Sequence, residues 1–223
     1  MSYERIYIES GERDTLIENQ LIGQDIPERD NYGDREDMGG TALTERYIAL
    51  PAVVFNIDSI TKKYISIADT FAWEDYPTNN YGGNTDLLTY QHYVDGNLQM
   101  AFTYMKFATI LNLGTVTSAK MYLRLSPSAF HQGGYHIVSL AENWDEYTLN
   151  WNNKPKDGSG FKSIVVPESA WYEVDVTDWV QYWAEGSWPQ YGIRMFDGYV
   201  DEWVWCQSRE SDHVPYLIVT YKP

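Results

Sequence analysis

The chain has 223 residues, of which 32 are acidic and 16 are basic, so its formal net charge at pH 7 is −16. This surplus of acid disfavours nucleic acid as a partner, because binding a polyanion needs a basic surface that can release counterions. With 43% hydrophobic and 22% charged residues, the composition is that of a packed globular protein, which excludes wholesale disorder.

The sequence contains no recognisable membrane span or export signal. No run approaches the roughly 18 to 20 apolar residues of a transmembrane helix, and the start, MSYERIYIESGERD, lacks an apolar h-region. We therefore expect no membrane insertion. The single cysteine, Cys206, excludes an internal disulfide framework and a multi-cysteine zinc site, and its neighbours predict a small buried side chain in a strand.

The N-terminal region differs in character from the rest of the chain. Residues 1–66 hold 13 acids, 7 bases and no tryptophan, whereas residues 67–223 contain all nine tryptophans. Three short N-terminal segments also recur later in the same order. Asp14-Thr15, Asn31-Tyr32-Gly33 and residues 53–60 correspond to Asp69-Thr70, Asn80-Tyr81-Gly82 and residues 105–110.

This recurrence suggests that residues 1–66 are a β-rich arm or a degenerate half-copy of the following module. The spacings differ between the copies, so chance recurrence remains an alternative. A half-module would leave strand edges unpaired, which predicts that residues 1–66 dock onto a partner or a neighbouring copy. The alternative is an extended acidic arm that wraps its own domain.

Strand patterns dominate residues 67–223, and turn residues separate them at regular spacing, as in a sandwich or barrel. In the run from Ala119 to Leu125, apolar and polar side chains alternate with a period of two, which predicts that one face of this strand is buried. The predicted strands cover residues 102–108, 119–125, 135–140, 171–176, 191–196, 203–208 and 217–221.

One short helix is predicted after Val176, with Thr177 as its N-cap and Asp178 in the first turn. Gly186 supplies the C-terminal stop. Val180, with Trp183 or Ala184, makes an apolar face that would close one end of a sandwich.

The motifs between residues 68 and 223, taken in order, resemble the disaggregatase-related (DNRLRE) domain family, a carbohydrate-binding-module-like β-sandwich. The matching segments are Ala68-Asp69-Thr70, Asn80-Tyr81-Gly82, residues 118–123, 144–155, 174–183, 208–210 and 215–221. The resemblance implies an all-β jelly-roll sandwich with one short helix, which binds polysaccharide or serves in adhesion and has no catalysis of its own.

The resemblance also suggests a cellular setting. Such domains usually belong to secreted or surface proteins, yet this sequence has neither a signal nor a disulfide. A bacteriophage virion component, made in the host cytoplasm and released by lysis, would reconcile the two. We therefore expect a capsid- or tail-attached decoration or fibre protein, anchored to other virion proteins through residues 1–66. The alternative is an extracellular carbohydrate-binding module that acts beside a polysaccharide-degrading enzyme.

Residues 144–155 are interpreted as scaffold. Trp144 and Trp151, seven residues apart, bracket Glu146 and are typical of a loop that indole burial pins to a sandwich. Arg209 is expected to pair with a carboxylate such as Glu146 and not to bind a ligand.

No catalytic constellation stands out. The four histidines lie far apart in the sequence, and no nucleophile, phosphate-loop or dinucleotide motif is present. Adjacent acids such as Asp145-Glu146 are expected by chance among 32 acids, and the two carboxyl groups that a glycosidase needs cannot be assigned. The sequence therefore predicts a protein that is not an enzyme.

Structural calcium is the one cofactor that the sequence suggests, because oxygen ligands are abundant and related jelly-roll modules often carry it. The candidate ligands are Asp69, Asn80 and Asp175. The alternative is that Asp175 caps a turn and Asp69 binds backbone amides.

Glycan contact requires exposed flat aromatic rings beside hydrogen-bonding groups, because sugars stack their CH faces on such rings. Trp73, Tyr93, Trp188 and Trp203 lie in polar or turn contexts and are the candidates. Trp205, two residues after Trp203, shares its face. A core role is the favoured interpretation for Trp203 and Trp205, whereas Trp73 and Trp188 remain open.

Overall fold

The computed structural model describes residues 58–128, 134–198 and 202–223. Most of the predicted N-terminal half-repeat, residues 1–57, lies outside the described residues. Within the described parts of the chain, no helix combines the length and the apolar character of a membrane span.

The fold is all-β with one short helix, as the sequence predicts. Each of the seven predicted strands overlaps an observed strand, and β1, β2 and β6 were not predicted. The strands are β1 (Ile60–Trp73), β2 (Asp86–Val94), β3 (Asn97–Phe107), β4 (Thr115–Pro127), β5 (Gly134–Leu140), β6 (Asp157–Val165), β7 (Ala170–Asp175), β8 (Ile193–Asp197), β9 (Glu202–Gln207) and β10 (Tyr216–Lys222), and the helix is α1 (Thr177–Ala184).

The long strand β1 joins the two layers of the sandwich. Its first part, from Ile60 to Ile65, pairs with β10, and its second part, from Ser66 to Trp73, pairs with β3 after a bulge between Ser66 and Ala68. The antiparallel pairings β1–β10–β4–β9–β2–β3 therefore return to β1 and enclose the core. Because β1 begins at Ile60, it also crosses the domain boundary predicted at residues 66 and 67.

The main core follows the alternation predicted for β4. Met121, Leu123 and Leu125 are buried, whereas the side chains between them are half-buried on the opposite face. Cys206 is also fully buried in this core, as expected, and burial raises the pKa of its thiol far above the usual range. Its position and protonation make it a packing residue.

Helix α1 packs its predicted apolar face, Val180, Trp183 and Ala184, into the same core, and Gly186 ends it with a φ of 72°. The N-cap prediction was wrong. Val176 is the N-cap and makes no side-chain capping bond. The Thr177 hydroxyl instead accepts a hydrogen bond from the backbone amide of Ala119 at 2.9 Å, because this end of the helix lies against β4.

A second, smaller core lies between β3 and the loop of residues 141–156. Trp144 and Leu149 from the loop pack with Tyr104 of β3, and the Trp144 indole donates a hydrogen bond to the carbonyl of Tyr191 at 2.8 Å. Trp151 packs against Phe102, with ring centroids 5.1 Å apart. The predicted scaffold role of this loop is confirmed.

Candidate functional site

The alternation of β9 points its two tryptophans away from the core. Val204 and Cys206 are fully buried, whereas Trp203 is 41% and Trp205 is 38% exposed. The core role favoured for Trp203 and Trp205 in the sequence analysis is therefore wrong. Their common face was predicted correctly, since residues two apart on a strand point to the same side.

Trp171 of β7 lies on this same face of the sheet. It is 41% exposed and pairs with Arg124 of β4, while Trp205 pairs with Ser126 of β4. Arg124 and Ser126 share the outer side of β4, and residues directly opposite each other share a side of the sheet. We call the surface formed by Trp171, Trp203 and Trp205 the tryptophan face.

The tryptophans of this face span a distance greater than the width of one sugar ring. Strands β7 and β9 lie on opposite sides of β4, and the residues they pair with are two apart along it. With strand spacings of about 4.8 Å and a rise of about 3.4 Å per residue, the backbones at Trp171 and Trp205 lie about 12 Å apart. A single sugar cannot cover both indoles, whereas a chain of sugars can.

Hydrogen-bonding groups surround Trp205. It lines an open cavity of about 340 Å³ together with Asp86, Ser126 and Gln207. The Gln207 side-chain amide donates a hydrogen bond to the Asp86 carboxylate, which holds both groups in place beside the indole. An aromatic surface beside oriented polar groups is the combination that a sugar needs.

Further aromatic side chains support Trp171 from the side. Its ring centroid lies 5.6 Å from that of Tyr216 and 6.0 Å from that of His213. Tyr216 stacks on Tyr122 at 4.8 Å, and the Lys63 ammonium lies 3.9 Å from the Tyr216 ring centroid. The Tyr216 ring is thus engaged by protein groups and serves to orient Trp171.

Comparison with known families agrees with this geometry. A family model for carbohydrate-binding module family 96 matches residues 60–221. The chain belongs to carbohydrate-binding module family 96. No curated protein matches the chain. Membership of family 96 supports the carbohydrate-binding part of the resemblance found in the sequence. It does not support assignment to the disaggregatase-related family.

The other predicted glycan contacts are not part of the tryptophan face, although the strand register places Trp73 on the same side of the sheet as Trp203. Trp73 is half-buried, and its indole donates a hydrogen bond to the Tyr90 hydroxyl at 2.7 Å. Trp188 is half-buried against Tyr182, with centroids 4.5 Å apart. Tyr93 is 53% exposed but lies beyond the part of β2 that pairs with β9. Of the four candidates, the structure places only Trp203 on the tryptophan face.

An acidic cluster surrounds Asp69 of β1, in which Asp69 and Glu146 are buried and Glu210 is exposed. Carboxylate oxygens of Asp69, Glu146 and Glu210 lie within 4.8 Å of one another. The Arg209 guanidinium forms ion pairs with Glu146 at 2.9 Å and with Glu210 at 2.8 Å. The predicted pairing of Arg209 with Glu146 is therefore confirmed, and Arg209 already supplies a positive charge to this cluster.

The three candidate calcium ligands do not converge on one point. Asp69 belongs to the acidic cluster. The Asn80 side-chain amide donates to the carbonyls of Glu146 and Leu149 and so braces the loop. Asp175 pairs with Lys120 at 2.9 Å on the outer face and accepts the Thr177 amide. The polar atoms of these three residues are engaged in ion pairs, turn hydrogen bonds and bonds to the loop, an arrangement that differs from a calcium shell of six to eight oxygen ligands. Calcium binding stays a prediction.

Proposed function

We propose that the module binds a polysaccharide chain on the tryptophan face and catalyses no reaction on it. The observation that carries this proposal is the exposure of Trp171, Trp203 and Trp205 on one side of the sheet. Contiguous apolar surface left in water is unfavourable, and such patches on monomeric domains mark binding sites. Family membership makes carbohydrate the ligand class.

The chemistry of the face suits sugar rings. The CH faces of a sugar can stack on the indole planes, while its hydroxyl groups exchange hydrogen bonds with Asp86, Ser126 and Gln207. Because Trp171 and Trp205 are about 12 Å apart by strand geometry, one sugar engages part of the face and a longer chain engages all of it. Affinity should therefore rise with oligosaccharide length and then level off.

A polysaccharide array, followed by titration calorimetry on the best ligand, tests the proposal. The variants are Trp171→Ala and Trp205→Ala, and the matched control is Phe161→Ala, which removes an aromatic ring that is 55% exposed on β6. Loss of one stacking contact should lower affinity by about tenfold in each tryptophan variant. Equal affinities in all four proteins would contradict the proposal, as would an array without any bound polysaccharide.

The absence of catalysis is tested on the same ligand. Incubation of the full chain with the bound polysaccharide should release no reducing ends and no unsaturated products. Product formation that disappears in a Glu146→Gln or Asp86→Asn variant would contradict this part of the proposal.

We also propose, on the sequence alone, that the N-terminal region predicted as residues 1–66, apart from the start of β1 at Ile60, attaches the module to a larger assembly such as a phage particle. The composition of this region, acidic and without tryptophan, supports a role separate from sugar binding. The neighbouring genes offer a direct test. Genes for capsid, portal or tail proteins would support the virion setting, and genes for lyases or hydrolases would support an extracellular partner of an enzyme.

A further inference from the structure

Strand β6 lies at the open end of the strand order β3–β8–β5–β6. It pairs with β5 from Val165 opposite Gly134 to Asp157 opposite Leu140, and no strand among the described residues pairs with its other edge. Backbone N–H and C=O groups on that edge therefore point away from the sheet without a ladder partner. An open edge of this kind is a template for a strand from another chain.

The side chains of β6 favour an apolar partner strand. Phe161 and Val165 lie on one face of it and are 55% and 63% exposed. The only charged residue within residues 158–166 is Lys162, and its ammonium is paired with Asp178 of α1 at 2.9 Å. In a chain whose net charge is −16, this edge presents apolar side chains and no unpaired charge.

Strand β7 also has an open edge in the described part of the chain, but charge protects it. It pairs with β4 alone, and its residues Glu173 and Asp175 are exposed. Exposed charges on an edge strand oppose pairing with a further strand. Because an approaching copy of this chain is itself strongly acidic, β6 is the better suited of these two edges.

The N-terminal region contains a segment whose composition matches the β6 edge. Residues 52–57 have the sequence Ala-Val-Val-Phe-Asn-Ile, in which five of six residues are apolar and none is charged. β-Branched and aromatic residues of this kind favour strands. Added beside β6, the segment would place alternate apolar side chains next to Phe161 and Val165.

This segment is too close in sequence to β1 to reach β6 of its own copy. Residue 57 is three residues before Ile60, where β1 begins, and three extended residues span about 10 Å. Strands β3, β8 and β5 lie between β1 and β6 in the strand order, so four strand spacings of about 4.8 Å, or about 19 Å, separate β1 from β6. A segment of residues 52–57 on β6 must therefore come from a second copy.

We propose that the open edge of β6 is a docking site for residues 52–57 of a second copy of this chain, which add to the sheet as a further strand. Main-chain hydrogen bonds would hold the segment, and its alternate apolar side chains would select it. Because the donor segment and the acceptor edge are different surfaces, the contact can be repeated from copy to copy. The inference rests on the proposed attachment role of the N-terminal region and names the surface that receives it.

Size-exclusion chromatography with light scattering on the full chain, over a range of concentrations, tests the contact. The variants are Val165→Lys on the acceptor edge and Phe55→Lys in the donor segment, and the control is Leu111→Lys, which places the same charge at an apolar residue that is 59% exposed. The wild type and the control should self-associate equally. Each variant should raise the dissociation constant by about tenfold or more, because a lysine opposes pairing at an apolar edge.

Cross-linking in an otherwise unchanged full chain locates the contact directly. A photoreactive benzoylphenylalanine replaces Phe55, and unlabelled and ¹⁵N-labelled copies are mixed before irradiation. We expect mass spectrometry to find cross-links that join residue 55 of one isotopic form to residues 158–166 of the other. Cross-links confined to a single copy, for example to its own β1, would overturn the proposal.

Two results separate this inference from the attachment role on which it rests. Self-association that is as tight in Val165→Lys as in the wild type would overturn docking on β6 and leave attachment through another surface standing. A full chain that stays monomeric at every concentration would overturn the contact between copies, while the neighbouring genes still decide whether the module belongs to a larger assembly.

Discussion

At the scale of single residues, Asp69 is a carboxyl group whose pKa is strongly raised. It is fully buried in β1, and burial raises its pKa to about 7. The backbone amide of Arg209 and the hydroxyl of Ser66 donate hydrogen bonds to it and oppose this shift, while the charges of Glu210 and Glu146 add to it. The folded protein thus holds a proton on Asp69 that the unfolded chain has already lost above about pH 4.

This difference predicts a stability that falls as pH rises. Between about pH 4 and pH 7 the folded state binds more protons than the unfolded state, so the free energy of unfolding declines toward neutral pH. Asp69→Asn removes this titration. Relative to that variant, the wild type should lose about 2 to 3 kcal/mol of unfolding free energy between pH 5 and pH 8, measured by urea denaturation. Parallel pH curves for the two proteins would contradict the account.

Sequence reasoning anticipated one ion pair of this cluster. The Arg209–Glu146 pair was expected because Arg209 was interpreted as the partner of a carboxylate in the loop of residues 144–155 and not as a ligand contact. The convergence of Asp69 and Glu210 with that pair was not anticipated. It depends on the register of β1 with β3 and on how the loop folds back, which no local pattern specifies.

At the scale of the elements, period-two alternation predicted strands well but did not say which side of a strand is buried. In β9 both sets of side chains are apolar, Trp203 and Trp205 on one side and Val204 and Cys206 on the other. The choice is made by pairing partners, since Cys206 lies opposite Leu87 of β2 and Leu125 of β4. Trp171 could have been found by the same alternation, because it shares a strand with the buried Val174.

Strand β6 shows why some elements were missed. Its sequence contains two glycines and several polar residues, which are typical of a loop. It forms a strand because it pairs with β5 and because Gly160 lets it approach helix α1. A Cβ atom at Gly160 would lie 2.5 Å from the Trp179 indole, which is itself almost completely buried.

Gly160→Ala should therefore destabilise the module, because the Trp179 ring has no room to move. We expect a loss of about 1 to 3 kcal/mol of unfolding free energy in chemical denaturation. The matched control is Gly83→Ala, where no atom lies within 4 Å of the added Cβ. A Gly160→Ala protein as stable as the control would contradict the close packing of β6 on α1.

At the scale of the whole molecule, β1 closes the ring of strands, and its first residues are part of the sandwich. Ile60 to Ile65 pair with β10, so a truncation at the predicted boundary of residue 66 would remove half of the pairing that joins the layers. A truncation at residue 57 would leave the described strands intact. The boundary between the proposed anchor and the module is thus better tested at residue 57.

We predict that a chain of residues 58–223 is a folded monomer and that a chain of residues 67–223 has lost much of its stability. Size-exclusion chromatography with light scattering and thermal unfolding measure both properties. If residues 1–57 carry the attachment to an assembly, only the full chain should self-associate. A 67–223 chain as stable as the 58–223 chain would contradict the structural role assigned to the start of β1.

The central claim is that polysaccharide lies on the tryptophan face. Oxidative footprinting by mass spectrometry reads the accessibility of each tryptophan with and without the polysaccharide that binds best. We predict that the ligand protects Trp171, Trp203 and Trp205, while the oxidation of Trp73 and Trp188 is unchanged. Binding that leaves the three tryptophans as reactive as before, or that protects Trp73 or Trp188 instead, would contradict the claim.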